Sequence, residues 1–222
     1  MNVTTTGALG ESLAAGLGTL GLALPVGAQE RLLQYLELLT KWTVVYNLTA
    51  IREPARMITH HLLDSLAVLP TLDALVGDVQ AAHVLDIGSG AGLPGVPIAL
   101  ARPHWQVTMR EPVQKKVAFM TQAVAELGIG NAAPSLGRVE DLRAPRGFDI
   151  VISRAFSDLA SFAEAALPNL ASSGRIVAMK GVHPDEELRD LPDTVRVERT
   201  VALRVPGVDG ARHLIVLRRG HA

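Results

Sequence analysis

The stretch from His83 to Pro97, which reads HVLDIGSGAGLPGVP, constrains this chain more than any other. A short apolar run enters four glycines, Gly88, Gly90, Gly92 and Gly95, and leaves as a helix started by proline. Glycine takes positive φ angles without steric cost and lets a ligand approach backbone amides that a Cβ would screen. Glycines also make plain tight turns, but four of them directly after an acid-bearing strand point to a ligand cradle.

From Val84 onward the chain alternates strand and helix, the pattern of a mainly parallel sheet covered on both faces. The spacing predicts strands over 84–87, 107–111, 133–136, 148–153 and 175–179, with helices over 94–101, 113–127 and 159–167. Gly128 reads as a C-terminal cap. The last two strands, 195–205 and 212–217, are joined by Pro206 to Gly210, too short for a crossover helix, so they should form an antiparallel hairpin.

No strand is predicted before Val84. Residues 28–42 place Leu32, Leu36 and Leu39 at helical spacing, with Leu33 and Trp42 widening the apolar face. Residues 1–10 read as a mobile tail, 11–22 as a glycine-weakened helix, 46–49 as a turn or cap, and 52–56 as a short helix. A longer helix is predicted over 57–69, closed by Pro70. Residues 1–80 are therefore expected to form a tail and helical cap that buries its apolar faces on residues 81–222, the two making one compact unit.

Composition limits what such a fold can do. At 222 residues and 48% hydrophobic content there is enough chain for one sizeable core. The absence of cysteine excludes disulfides, thiolate metal sites and a cysteine nucleophile, and fits a reducing compartment. No apolar run approaches the roughly 18 residues needed to span a bilayer, and the start lacks a leader pattern, so a cytoplasmic protein without membrane contact is expected. A net charge of -1 means that any nucleic acid must be held by a local patch. Candidate patches are Lys41, Arg52 and Arg56; Lys115 and Lys116; and Arg196, Arg199, Arg204, Arg212, Arg218 and Arg219, each also readable as a solvated face. His60 and His61 are consecutive, so on a helix they point apart, and with no third ligand no metal site is expected.

Residues 90–95 match G-x-G-x-x-G, and Glu111 follows at the distance of a ribose-binding acid. An NAD(P)-binding oxidoreductase, or a nucleotide-binding regulator, is one reading of that spacing. Asp86, two residues before the first glycine, would repel a pyrophosphate and suits a cationic ligand. S-adenosylmethionine has that cation, no phosphate, and a ribose for Glu111.

The stretches 42–49 (WTVVYNLT), 61–65 (HLLDS), 84–97, 137–140 (GRVE), 151–156 (VISRAF), 178–181 (AMKG) and 212–214 (RHL) resemble the RsmG (GidB) family. Its members are bacterial N7-guanosine methyltransferases of 16S ribosomal RNA. The resemblance runs in order from about residue 27 to 218. It implies a Rossmann-like class I methyltransferase of α/β class: a mainly parallel sheet, a C-terminal antiparallel hairpin and an N-terminal helical cap. The implied cofactor is S-adenosylmethionine. The implied partner is 16S rRNA, naked or within the small ribosomal subunit, with no obligate protein partner. By the resemblance, Gly88, Gly90 and Leu93 would line the cofactor loop, Glu111 would hold the ribose, and Val139 and Glu140 would lie along the adenine. Arg154 would end the fourth strand facing cofactor and substrate, as the catalytic candidate. Many members have Asp-Ser where this chain has Glu111-Pro112, and the first ten residues have no match.

Absences narrow the chemistry further. Methylation at a pyrimidine C5 needs a cysteine nucleophile. Exocyclic-amine methyltransferases resemble one another in an Asn/Asp-Pro-Pro-aromatic loop, where this chain has Ser153-Arg154-Ala155-Phe156. Ribose methylation stays open, because Lys180 could help to activate a hydroxyl. Guanine N7 carries its own lone pair and needs only alignment and exclusion of water. Asp64 and Ser65 read as capping or cap-to-sheet packing, Trp42 as core, and Tyr46 and Phe156 as residues that could stack a base.

Overall fold

The alternation after Val84 closes into one seven-stranded sheet in the computed structural model, which describes residues 3–154 and 156–220. β1 (His83–Ile87), β2 (Gln106–Glu111), β3 (Ala132–Leu136), β4 (Phe148–Arg154) and β5 (Leu170–Lys180) run parallel. β6 (Val195–Leu203) and β7 (Arg212–Arg219) complete it as an antiparallel pair, in the order β3-β2-β1-β4-β5-β7-β6. The order reverses between β1 and β4, and a crevice opens beyond the carboxyl ends of strands at such a switch point. The glycine loop leaves β1 there, and Arg154 ends β4 there.

Helices cover both faces. In chain order they are α1 (Val3–Leu20), α2 (Ala28–Tyr46), α3 (Pro54–Met57), a π-helical turn at Ile58–Leu63, α4 (Asp64–Leu66), α5 (Leu69–Val76), α6 (Gly95–Ala101), α7 (Gln114–Glu126), α8 (Leu159–Ala166) and α9 (Asp185–Arg189). Period-two alternation along the strands splits the core into two layers. Val84, Ile150 and Ile152 face α2, α6 and α7, in one cluster with Leu32, Leu36 and Phe119, whereas Leu85, Ile87 and Val151 face α8 through Leu159 and Phe162.

Two expectations are corrected here. Residues 3–10 are not a tail but the first turns of α1, because Leu9, Leu13 and Leu17, four apart, bury one continuous stripe. Glycine at position 16 lets that stripe close on Leu63, with which a Cβ would collide. Met1 and Asn2 lie outside the described residues. Pro70 does not close a helix over 57–69. That helix ends at Leu66, and Pro70 stands in the first turn of α5, where its missing N–H costs nothing. α9 went unpredicted, since its sequence DEELR carries almost no apolar spacing.

The cap rests on the sheet layer through an aromatic contact. Phe119 of α7 is fully buried, with its ring centre 6.0 Å from that of Tyr35 and 5.6 Å from that of Trp42, both on α2. Trp42, partly buried, packs against the core, as read. Phe119→Ala should destabilise the protein by about 3–5 kcal/mol in urea unfolding. A loss under about 1 kcal/mol would mean that α2 does not depend on α7 for its place.

Candidate active site

The four glycines divide into two kinds. Gly88 (φ 69°) and Gly90 (φ 58°) need the left-handed region. A Cβ at Gly88 would meet nothing within 4 Å, and at Gly90 only the Gly88 carbonyl at 4.0 Å, so both border open space. A Cβ at Gly92 would fall 2.7 Å from Val96 Cγ2, and one at Gly95 would fall 2.6 Å from Met109 Cγ and 2.9 Å from Asp86 Oδ2. Those two serve close helix–sheet packing, which corrects the reading of all four as ligand contacts. The loop is also fixed from outside: Tyr35 Oη donates to the Ala91 carbonyl at 2.7 Å, and Ser89 Oγ to the Asp86 carbonyl at 2.9 Å. Sequence reasoning missed Tyr35, although a hydroxyl inside the stripe Leu32, Leu36, Leu39 was a usable signal, since a buried tyrosine oxygen seeks a partner.

Two carboxylates occupy the loop's amides. Asp86, fully buried, accepts from Gly95 N–H through Oδ2 at 2.9 Å, while its Oδ1 has no partner. Burial pushes its carboxyl up to about 7, against the pull of the hydrogen bond from Gly95. Glu111, at the end of β2, accepts from Gly90 N–H at 2.8 Å through Oε2 and from Val113 N–H at 3.0 Å through Oε1. In a dinucleotide loop the amides along the glycine turn and at the helix start carry the pyrophosphate. Here a carboxyl group stands at each, so a phosphate would find those donors already spent. Lys116, read as part of a surface patch, lies 3.7 Å from Glu111 Oε1 and belongs to the site.

Beyond the loop lie two adjoining cavities. The smaller, about 180 Å³, is lined by Gly88, Gly90 and Leu93 among others; the larger, about 470 Å³, by Asp64, Lys180 and Arg212 among others. Thr49, His61 and Arg154 line both and form their common wall. Arg154 donates through Nη1 to the His60 carbonyl at 3.0 Å and to Asp64 Oδ2 at 3.3 Å. Its Nε and Nη2 have no partner among the described residues. Asp64 Oδ1 accepts from Arg212 Nε at 2.9 Å, so one buried carboxylate on the cap holds two arginines from two strands. The cap-to-sheet role read for Asp64 is the one it plays.

His61 is held neutral in that wall. Its Nδ1–H donates to the His60 carbonyl at 3.1 Å, and Nε2 accepts from the Thr49 hydroxyl at 2.9 Å, whose oxygen accepts from Ile51 N–H at 3.2 Å. The tautomer follows from that network. Burial, reinforced by the Arg154 charge, lowers its pKa to about 4. The π-helical turn over Ile58–Leu63 carries the His60 carbonyl and His61 to Arg154. Lys180 Nζ donates to Glu187 Oε2 at 2.7 Å and links β5 to α9.

Of the predicted site residues, the structure brings Gly88, Gly90, Leu93 and Arg154 to one cleft, with Glu111 joined to it through Gly90. Val139 and Glu140 line neither cavity. They begin a 3₁₀ turn just after Gly137, whose N–H donates to the Glu111 carbonyl at 3.0 Å; Val139 is buried beside Leu85 and Ile87, and Glu140 is exposed. Phe156 stacks on Phe162 at 5.2 Å, Tyr46 stacks on Trp42 at 4.9 Å, and Ala155 lies outside the described residues. Among the described residues no group of three His, Asp or Glu could hold a metal ion, and no helix is long and apolar enough to cross a membrane.

The two kinds of glycine should separate in mutants. Gly95→Ala overfills the α6–β2 contact and should lower stability by about 1–3 kcal/mol in chemical unfolding. Gly88→Ala places its methyl in the cleft, at a strain of about 1–2 kcal/mol, and should abolish ligand binding in calorimetry at temperatures where the variant is folded. Retained binding in Gly88→Ala would remove the cleft from consideration.

Comparison with known proteins shows the family. The family model described as GidB, rRNA small subunit methyltransferase G, matches residues 28–215. The chain is 50% identical over 214 residues to the ribosomal RNA small subunit methyltransferase G of Nitrosospira multiformis, covering 93% of this chain and 96% of that protein. It is 47% identical over 209 residues to the protein of that name from Laribacter hongkongensis, covering 94% and 98%. A solved structure of ribosomal protein L11 methylase from Lactobacillus delbrueckii subsp. bulgaricus superposes with a TM-score of 0.52 at 14% identity, over 72% of this chain and 77% of that one, a likeness of fold. By the match over most of its length, the chain belongs to the rRNA small subunit methyltransferase G (GidB) family.

Proposed function

We propose that the protein transfers the methyl group of S-adenosylmethionine to N7 of a guanosine in 16S rRNA of the small ribosomal subunit. The observation that carries this reading is the common wall of Thr49, His61 and Arg154, which separates a glycine-lined cleft fit for a donor from a larger cavity fit for an acceptor. An rRNA substrate would place the protein in the cytoplasm. Residues 1–80 and 81–222 would work as one unit, since Tyr35 and Asp64 of the cap hold parts of the site.

The residues of the cleft suit S-adenosylmethionine. Gly88 and Gly90 present bare backbone to open space, Glu111 would hold the ribose hydroxyls, and Asp86 places an unpartnered carboxylate oxygen below the loop for a cationic ligand. Val139 and Glu140, one strand beyond Glu111, would lie along the adenine. When bound, S-adenosylmethionine supplies an electrophilic methyl group on a sulfonium. The free Nε–Nη2 edge of Arg154 would take a carboxylate or the guanine O6, either of which accepts two parallel hydrogen bonds or one strong one. Leu93 and His61, both buried, would help to exclude water from the space between.

N7 attacks with its own lone pair. The new N–C bond forms as the S–C bond breaks, the sulfur keeps that electron pair, and the ring carries the positive charge away. No proton leaves, so no base is required. The competing reading, methylation of a ribose hydroxyl, needs a base. Lys180 is committed to Glu187, His61 uses both ring nitrogens, and Asp64 lies between two arginines. His60 and His213, which also line the larger cavity, keep an Nε2 without a partner among the described residues and are the groups that reading would have to use.

The single-turnover rate at saturating RNA and cofactor should be nearly flat from about pH 6.5 to 8.5, the range in which a free histidine base would titrate. His61 titrates far below that range. Asp86 titrates within it in the free protein, but ionisation there acts on affinity for a cation and not on the chemical step at saturation. A rate that climbs up to tenfold per pH unit would overturn the N7 assignment in favour of a hydroxyl.

A further inference from the structure

The larger cavity does not end at Arg212. A third cavity, about 580 Å³, continues outward between α3 with the π-helical turn and the β6–β7 loop, and it shares His60 and Arg212 with the larger one. The three spaces thus follow in a row, with Arg154 in the first joint and Arg212 in the second. The outer wall is built closely. The β6–β7 loop meets the π-helical turn at Gly207, where a Cβ would lie 2.6 Å from Thr59 Cγ2. No aromatic side chain lines the outer cavity apart from the His60 ring, so little there could stack a base.

Arg212 spends only part of its guanidinium. Nε donates to Asp64 at 2.9 Å and Nη1 to the Ala211 carbonyl at 2.8 Å, while Nη2 has no partner among the described residues. Across the cavity Arg56 is exposed, and its side chain makes no hydrogen bond or ion pair among the described residues. Asp64 is a single carboxylate between Arg154 and Arg212, so the joint keeps a net positive charge. Asp209, on the β6–β7 loop, is the one carboxylate that lines the outer cavity, against the two guanidinium groups of Arg56 and Arg212.

We infer that Arg212 and Arg56 form a subsite for the sugar–phosphate backbone of single-stranded RNA, holding the phosphodiester next to the methylated nucleotide. This rests on the RNA-methylating function proposed above. A base delivered into the larger cavity leaves its backbone at the mouth, and the mouth at Arg212 opens into the outer cavity. Guanidinium groups there give charge-assisted bonds to phosphate oxygens, which set register without reading sequence. Arg56 therefore acts on docking alone, whereas Arg212 also keeps Asp64, and through it Arg154, in place.

The test is RNA binding and methyl transfer by the full-length protein, using small-subunit rRNA from cells lacking it. In Arg56→Gln, KM for RNA should rise, kcat and affinity for S-adenosylhomocysteine should stay at the wild-type values, and the slope of log affinity against log salt should flatten by about 0.7. In Arg212→Gln both KM and kcat should suffer, and Arg212→Lys, which keeps the charge, should restore the salt slope but not kcat. Should Arg212→Gln fail to fold, Arg56→Gln decides alone. A wild-type KM and salt slope in Arg56→Gln would overturn the subsite while leaving methyl transfer intact. Absence of methyl transfer to that RNA by the wild-type protein would overturn the proposed function, and the subsite with it.

Discussion

Two carboxylates hold the glycine loop by its own amides, and the rest of the site depends on that arrangement. Asp86 Oδ2 takes the Gly95 N–H and ties β1 to the start of α6; Glu111 Oε2 takes the Gly90 N–H and ties β2 to the loop. The loop keeps its shape without a bound anion, because two of its amides are already taken by carboxyl groups of the protein. A cation with ribose hydroxyls is matched to such a loop, and a pyrophosphate is not. Glycines at 92 and 95 make the arrangement possible, because any larger residue would hold α6 away from Met109 and Asp86.

A second carboxylate-centred joint connects the cap to the sheet. Asp64 reaches Arg154 on β4 and Arg212 on β7, elements that the chain separates by 90 and 148 residues. A buried carboxylate left with one arginine would be costly, which makes the two arginines and the cap mutually dependent. The π-helical turn beside it turns the His60 carbonyl and the neutral His61 to the same place. The wall between the smaller and the larger cavity is therefore assembled from the cap and the sheet together.

Much of this was legible in the sequence where the cause is local. The alternation after Val84, the hairpin and the glycine loop followed from periodicity and glycine chemistry, and Glu111 followed from its distance to that loop. What was not legible depends on partners distant along the chain. The sequence shows four equal glycines, and only the approach of Met109 and Val96 divides them. Arg212 and Lys116 looked like solvated charge until Asp64 and Glu111 were found opposite them. The order of β6 and β7 did have a marker that went unused: β7 carries the continuous apolar run Leu214 to Leu217 of an interior strand, and β6 the exposed charges of an edge. The glycines of α1 suggested weakness because the use of one of them, Gly16, in closing on Leu63 lies in another element.

The central claim is that this loop takes a cationic, phosphate-free nucleoside ligand of the S-adenosylmethionine type. Thermal unfolding in the presence of S-adenosylmethionine and of NAD, each in separate titrations, tests it most directly, since a ligand bound only to the folded state must stabilise it. At a hundredfold excess over its Kd, S-adenosylmethionine should add about 2.7 kcal/mol, or roughly 5–11 °C in a chain of this size, and NAD should add nothing. Stabilisation by NAD, with none by S-adenosylmethionine, would contradict the account.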